Sequence, residues 1–228
     1  RLPTYLDDDG LAMYFPLADG SRSQGSDTLT AHLLTLSHFM RQTDPRFTLP
    51  PAEQAQMQQA LIAFVTGKLQ RTFWSPQQDM TARKLSAIAA LALDGKATPA
   101  LLDSLDIDPV RWPTHSVLDW LTVLEHVQVP GRAQRQQEAW QILRNRLAYQ
   151  GTQVGFSTDA QDHWWWLMQG PDVNAARLLL ATIGQAEWDA ERPRLVTGLL
   201  ARQKSGAWAT TTANLWAGLA LRPFSSTY

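Results

Sequence analysis

The chain of 228 residues contains no cysteine. This excludes disulfide bonds, thiolate nucleophiles, zinc–thiolate sites and iron–sulfur clusters together. An excess of one charge is also missing, because 20 Lys and Arg residues stand against 21 Asp and Glu residues. A balanced charge provides no field that attracts nucleic acid. No apolar run reaches the roughly 18 residues that span a bilayer. We therefore expect neither a nucleic-acid partner nor direct membrane insertion.

Complete catalytic and cofactor motifs are lacking as well. The chain has no Gly-x-Ser-x-Gly elbow and no P-loop. His32 and His38 are six residues apart, which places them on different faces of a helix, so they do not form a metal-binding pair. His115 is predicted at a helix start and His126 near a helix end. These absences predict no cofactor, no metal site and no enzyme activity.

Helical periodicity is what the sequence does contain. Apolar residues recur at helical spacing almost throughout the chain, and two-residue alternation is nearly absent. About ten helices are predicted: one capped by Ser26 or Asp27, one opened by Pro50-Pro51, one capped by Asp79 and ended by Gly95, a short one from Thr98-Pro99, and Thr114–Val127, Gln134–Tyr149, Asp159–Gln169, Asp172–Ile183, Pro193–Gln203 and Thr211–Leu221.

A weak internal repeat accompanies these helices. A turn and an aromatic residue lead, after a polar spacer, to a pair of small residues that opens an apolar helix. A small residue near a helix start lets neighbouring helices approach closely. Five such units predict five helical hairpins in an all-α, incomplete α/α toroid spanning residues 1–228 as a single domain, with an open superhelix as the alternative. The five pairs are Thr30-Ala31, Thr81-Ala82, Ser116-Val117, Asn174-Ala175 and Thr212-Ala213.

Both ends of the chain carry short motifs of one known family. They resemble the Gln/Asp-Gly-aromatic, Ser-Asp-x-x-Leu-Thr-Ala and Gly-x-Trp-x-x-Thr signatures of the thioester (complement-like) domain of the α-2-macroglobulin family, and of its bacterial members in particular. The residues that carry the resemblance are Asp8 to Gly10, Tyr14 to Pro16, Ser26 to Ala31, Leu195 to Leu200, Gln203, Gly206 to Trp208 and Thr211 to Trp216.

The resemblance implies a noncatalytic domain of a bacterial protease-trapping or defence protein in the periplasm. Its partners would be neighbouring β domains of the same polypeptide and, through the whole protein, target proteases. Family members that trap covalently use a Cys-x-Glu-Gln stretch, and Ala52-Glu53-Gln54 does not match it. We expect that stretch, and a sixth hairpin, to lie upstream of Arg1 in a longer protein, or the protein to belong to a subgroup without a thioester.

Three adjacent carboxylates, Asp7-Asp8-Asp9, precede Gly10. Three neighbouring side chains do not converge on one point, and a calcium loop needs alternate ligands with a distal Glu. The sequence therefore favours a solvated turn over a cation site or the acidic motif of a terpene cyclase.

The run His163-Trp164-Trp165-Trp166 is the most unusual local feature. In a helix, consecutive residues turn by about 100°, so three tryptophans do not share one face. We expect at least one to pack in the core and another to remain near the surface, which makes His163, Trp164 and Trp165 a candidate interface. A sugar-binding or glycosidase site that includes Asp162 is the alternative, and it requires a second carboxylate across a cleft.

The segment Gly206-Ala207-Trp208 is predicted to be a packing device. Gly206 would provide a turn, Trp208 would fill a hairpin junction, and Thr212, or Thr211 beside it, would cap the last helix. The segment also resembles a shortened repeat of squalene-type cyclases, but no Asp-x-Asp-Asp acid motif accompanies it. Two function classes remain as alternatives to the noncatalytic domain: an α/α-toroid enzyme, and a free-standing helical-repeat scaffold that binds peptides.

Overall fold

A computed structural model describes residues 2–16 and 24–227, with side chains up to residue 222. Arg1 and Tyr228, the bounds of the predicted domain, lie outside the described residues. Helices dominate, and the all-α class is confirmed. The described α-helices are α1 (Asp27–Thr43), α2 (Pro51–Val65), α3 (Met80–Leu93), α4 (Thr114–His126), α5 (Arg132–Asn145), α6 (Pro171–Thr182), α7 (Arg192–Ala201) and α8 (Thr211–Thr227).

Contacts divide the chain into two compact units. Unit 1 comprises Arg1–Pro109 and Asp119–Gln136, and unit 2 comprises Val110–Leu118 and Gln137–Tyr228. The boundary passes through α4 and α5, so each of these helices contributes residues to both units. Each unit is described by itself below.

The core of unit 1 is built on α3, which packs against α1 and α2. Leu85, Ile88 and Leu91 are fully buried, and the alanines between them are buried as well. From Ala87 to Leu93 every residue of α3 is apolar and buried, as expected for a helical segment in the interior, and its small residues allow the neighbouring helices to approach. The start of α1 is fixed by Ser26, whose side chain accepts a hydrogen bond from the Leu29 N–H, as predicted.

The core of unit 2 is built on α6, which packs against α8 and α7. Gly198 lets α7 approach a strand, because a Cβ at this position would lie 2.1 Å from the carbonyl oxygen of Val154. This close approach explains why glycine stands in the Leu-Val-Thr-Gly-Leu-Leu segment.

The repeated pairs open the helices that form these cores. The second residue of every pair is buried, and α1 with α3 and α6 with α8 are the most extensive helix pairings. The small residue therefore sits at close helix contacts, as the repeat predicts. The five buried residues are Ala31, Ala82, Val117, Ala175 and Ala213.

One predicted helix is present but ends earlier than expected, and another predicted helix is absent. The helix predicted over Gln134–Tyr149 ends at Asn145, and the chain continues as β1 (Leu147–Gln150), which pairs antiparallel with β2 (Gln153–Phe156). In β2 the side chains of Val154 and Phe156 are buried, which is the two-residue alternation of a strand.

The absent helix is the one predicted over Asp159–Gln169, where the chain instead contains turns and a short 3₁₀ helix, Trp165–Leu167. Asp162 binds the start of α4 instead of joining a helix of its own, and Met168 has a left-handed backbone (φ 56°) that stops propagation. The short helix predicted from Thr98-Pro99 is also 3₁₀, over Pro99–Ser104.

Candidate functional site

The tryptophan run in unit 2 divides between core and surface. Trp164 is buried, its ring meets His115 edge-on at 5.2 Å between centroids, and it stacks on Trp166 at 5.1 Å. Trp165 is 66% exposed, and its ring lies nearly perpendicular to that of Trp166, with 5.9 Å between the centroids. His163 is also exposed. Of the candidate interface residues, His163 and Trp165 are therefore accessible to a partner, whereas Trp164 belongs to the core.

A pocket of about 500 Å³ opens beside the exposed pair. It lies between the loop that carries His163, the N-terminal end of α6 and the segment before α8. Its wall is mainly apolar, which is typical of ligand pockets. The apolar lining comes from Trp165, Met168, Pro171, Val173, Ala209 and Ala213.

One arginine and two carboxylates line the polar side of this pocket. The Arg202 guanidinium contacts Asp159 through Nη2, and its Nη1 lies 3.3 Å from Asp172 Oδ1. Two negative charges thus surround one positive charge. Within the part of the chain that the structure describes, Asp172 Oδ2 accepts no hydrogen bond, so this oxygen remains available to a ligand.

Asp162 belongs to the fold and not to a catalytic site. It is buried, and its carboxylate accepts hydrogen bonds from the Thr114 N–H (3.2 Å) and from the hydroxyls of Thr114 and Thr158 (both 2.6 Å). A carboxylate that accepts from the first backbone N–H of α4 stabilises that helix end. The glycosidase alternative needs an accessible acid at this position, and the observed burial argues against it.

His115 is held neutral in the core of unit 2. Burial lowers its pKa to about 3, with a further contribution from the charge of Arg177. Among the described residues, neither of its ring nitrogens has a hydrogen-bond partner. A general base needs a pKa near the working pH and access to the proton that it removes, and a buried imidazole with a pKa of about 3 is poorly suited to that role.

The acidic run in unit 1 is only partly the solvated turn that the sequence predicts. Asp8 and Asp9 are exposed, but Asp7 is buried and pairs with Arg71 at 2.7 Å. Asp7 also accepts hydrogen bonds from the backbone N–H groups of Leu11 and Gly25. Burial alone would raise the pKa of Asp7, but these hydrogen bonds and the guanidinium lower it overall. Arg71 is 64 residues away in sequence, and no local pattern indicates this pairing.

A second buried ion pair ties α1 to α3. Arg83 donates to both oxygens of Asp27, through Nε at 2.9 Å and Nη2 at 2.6 Å. Arg83 Nη2 also donates to the carbonyl oxygen of Arg71. Asp27, the acidic residue of the segment Ser26 to Ala31, therefore has a structural role.

A third charged cluster surrounds Asp94 at the end of α3. Arg41 and His38 contact its Oδ1 at 2.7 and 3.1 Å, while Gln54 and Gln58 donate to its Oδ2. Burial opposes ionisation, but these hydrogen bonds and the charge of Arg41 lower the pKa of Asp94 to about 2. The cluster joins α1, α2 and α3 and offers no open acceptor.

The predicted packing device before α8 is present, with one correction. Trp208 is half-buried, and its indole N–H donates to the carbonyl oxygen of Leu199 at the end of α7 (2.9 Å). Asn214 binds both the N–H and the carbonyl oxygen of Trp208. Gly206 has φ 81°, which favours glycine. The helix cap is Thr210, whose hydroxyl accepts from the Ala213 N–H, and not Thr212 or Thr211.

Two further findings concern metal centres and membrane spans in residues 2–16 and 24–227. No group of three or more His, Asp or Glu side chains in these ranges is placed to hold a metal ion. None of the helices in the same ranges is long and apolar enough to cross a membrane.

Comparisons with known proteins identify the fold. No family model matches the chain, and no curated protein matches its sequence. A cryo-EM structure of Escherichia coli alpha-2-macroglobulin in its native conformation is similar over 98% of this chain, with a TM-score of 0.66 and 16% sequence identity. The match covers 13% of that much longer chain. The fold of this chain is therefore the fold of one part of a bacterial alpha-2-macroglobulin.

Proposed function

We propose that this chain is the thioester-type helical domain of an alpha-2-macroglobulin-like protein and is noncatalytic. The observation that carries the proposal is the fold similarity to E. coli alpha-2-macroglobulin over 98% of the chain. The motifs at both ends of the sequence support the same assignment independently of the coordinates. The function is protease trapping by the whole protein, in bacterial defence, and the proposed location is the periplasm.

The ion pairs and hydrogen bonds of the buried acidic groups within the fold support a structural role. Asp7, Asp27 and Asp94 are each held by an arginine inside unit 1, and Asp162 caps α4 in unit 2. Carboxylates in such pairs hold segments of the fold together, and their oxygens are engaged by protein donors. The alternative enzyme classes would place their acids among Asp7–Asp9 or at Asp162. The carboxylates of both Asp7 and Asp162 are buried and hydrogen-bonded to other parts of the protein.

Exposed aromatic side chains suit the proposed contact with neighbouring β domains. In unit 1, Phe15 is 78% exposed and Trp74 is 75% exposed. Large aromatic side chains on a surface are typical of residues that a partner covers. Because the chain has no cysteine, any thioester of the full-length protein would use residues outside these 228.

Protease trapping should block large substrates and not small ones, and this difference tests the proposal. A protease enclosed by the full-length protein should lose activity on protein substrates, while a small chromogenic peptide still reaches its active site. We expect this split for the full-length protein with a trypsin-like protease. Asp27→Asn, which breaks the buried pair with Arg83, should weaken the trap, whereas Arg46→Ala at an exposed pair should not.

Two results would contradict this function. One is cleavage of both substrates at unchanged rates in the presence of the full-length protein. The other is turnover of oligosaccharides or isoprenoid diphosphates by the 228-residue chain, abolished by Asp8→Asn or Asp162→Asn. Incubation with methylamine should also leave no covalent adduct on any glutamine of this chain.

A further inference from the structure

The pocket beside Trp165 has the dimensions and wall of a binding site. Its volume of about 500 Å³ lies within the usual range for ligand pockets, about 300–1,000 Å³. Trp165 presents an exposed ring at its edge, and Met168, Pro171 and Val173 continue the apolar wall. A ligand with an extended aliphatic part would bury that part against this wall.

The charged side chains at the pocket favour a positively charged ligand. Asp159 and Asp172 together carry two negative charges, and Arg202 carries one positive charge. The guanidinium is already shared between the two carboxylates, so it offers little to an anion. The net charge of these three side chains is negative, although the N-terminus of α6 offsets part of the charge of Asp172. Asp172, whose side chain is 22% exposed, is where a positive group gains most.

We propose that this pocket binds the side chain of a lysine or arginine residue presented by a peptide. The aliphatic stem packs along Trp165 and Met168, as the stems of basic side chains do on apolar surfaces. The charged head lies near Asp172 Oδ2 and over the exposed face of Trp165, where the ring quadrupole attracts a cation. The inference uses only the geometry of unit 2 and does not depend on the proposed function.

Other ligand classes fit the same walls less well. A sugar needs many hydrogen-bonding groups, but the Thr210 hydroxyl already accepts from Ala213, and Arg202 is engaged by two carboxylates. A neutral apolar ligand would remove water from Asp172 without replacing its hydrogen bonds, which is unfavourable. A basic side chain packs its aliphatic stem on the apolar wall and places its positive charge near the carboxylate of Asp172.

A matched pair of probes tests this proposal. N-acetyl-lysine-N-methylamide and N-acetyl-norleucine-N-methylamide share an aliphatic chain and differ in the ammonium group. Each is titrated into the 228-residue chain at about pH 8, which is above the usual pKa range of histidine side chains in general. Binding is followed by NMR at the indole N–H of Trp165, which is assigned by its loss in Trp165→Ala. We expect the lysine probe to bind about tenfold more tightly, from one partly exposed ion pair and one cation–π contact.

Two variants locate the interaction. Asp172→Asn should abolish the tenfold preference and leave the norleucine affinity unchanged, while Trp165→Ala should weaken both probes. Controls in unit 1 match each change: Asp44→Asn removes a carboxylate paired with an arginine, and Trp74→Ala removes a similarly exposed tryptophan. Neither control should alter binding.

Three results would overturn the proposal. They are equal affinities for the two probes, a preference that survives Asp172→Asn, and no shift of the Trp165 signal by either probe up to its solubility limit. Tighter binding of N-acetyl-glutamate-N-methylamide than of the lysine probe would refute the assigned charge.

Discussion

An arginine between two carboxylates occurs in both units of this protein, and Arg71 in unit 1 differs from Arg202 in unit 2 in what else surrounds it. In unit 1, Arg71 lies between Asp7 and Asp9 and also donates to the backbone carbonyl oxygens of Gly25 and Gln70. In unit 2, Arg202 lies between Asp159 and Asp172, beside a pocket. The Arg71 side chain is 6% exposed and that of Arg202 is 21% exposed.

The difference shows how the same residue types acquire different roles. Asp7 accepts backbone hydrogen bonds in addition to its guanidinium partner, so its oxygens are occupied. Among the described residues, the Asp172 carboxylate is hydrogen-bonded to Arg202 alone, and Asp172 lines the pocket. A fully satisfied buried pair stabilises a fold once its partners are in place, whereas an incompletely satisfied one is available for binding. The number of remaining acceptors, and not the residue type, separates the two roles.

The largest expected effect concerns two adjacent tryptophans in unit 2. Trp164→Ala removes a buried ring that contacts His115 and Trp166, and it should lower the free energy of unfolding by about 3–5 kcal/mol. Trp165→Ala removes an exposed ring and should change it by less than about 0.5 kcal/mol. Urea unfolding of the two variants measures both values. Equal losses would mean that Trp165 belongs to the core and not to an open site.

The pH dependence of the free energy of unfolding, measured below neutral pH, tests the buried charges of unit 1. The folded-state pKa of Asp94 is about 2, below its unfolded value, so ionised Asp94 stabilises the fold above about pH 4. That stability is lost as the pH falls through the folded pKa. We expect the difference between the wild type and Asp94→Asn to shrink by about 2 kcal/mol between about pH 5 and pH 2. A difference that does not change with pH would show that Asp94 is not stabilised by ionisation.

The segment before α8 provides the smallest effects, in a defined order. Trp208→Ala should cost about 2 kcal/mol, less than a fully buried tryptophan, because the ring is half-buried. Thr210→Ala removes the helix cap and should cost about 1 kcal/mol. Thr212→Ala should have almost no effect on the melting temperature. A larger loss for Thr212→Ala than for Thr210→Ala would restore the cap that the sequence predicted.

Local patterns predicted the parts of the fold that depend on local contacts. The paired small residues marked the starts of the helices that form both cores, and Ser26 caps α1 as expected. Gly206 and Trp208 also have the roles that their order in the sequence indicates. The cap of α8 is Thr210 and not the predicted Thr212 or Thr211, because three consecutive threonines leave the start of a helix undefined by sequence alone.

Contacts between residues that are far apart in the chain are not predicted by the sequence. Arg71 pairs with Asp7 over 64 positions, and Asp162 reaches the start of α4 over 48 positions. Neither pairing leaves a periodic signal, so Asp7 was expected in a solvated turn and Asp162 in a helix. The hairpin of β1 and β2 was missed because its two strands are only four residues each, too short for alternation to outweigh the helical pattern before them.

The contrast between the two arginines is the central claim, and side-by-side urea unfolding of Arg71→Met and Arg202→Met tests it most directly. Arg71→Met leaves Asp7 buried without its charged partner and should cost about 3–5 kcal/mol. Arg202→Met removes partly exposed pairs and should cost about 1 kcal/mol or less. A larger loss for Arg202→Met, or equal losses for the two variants, would contradict the assignment of a structural role to unit 1 and an open site to unit 2.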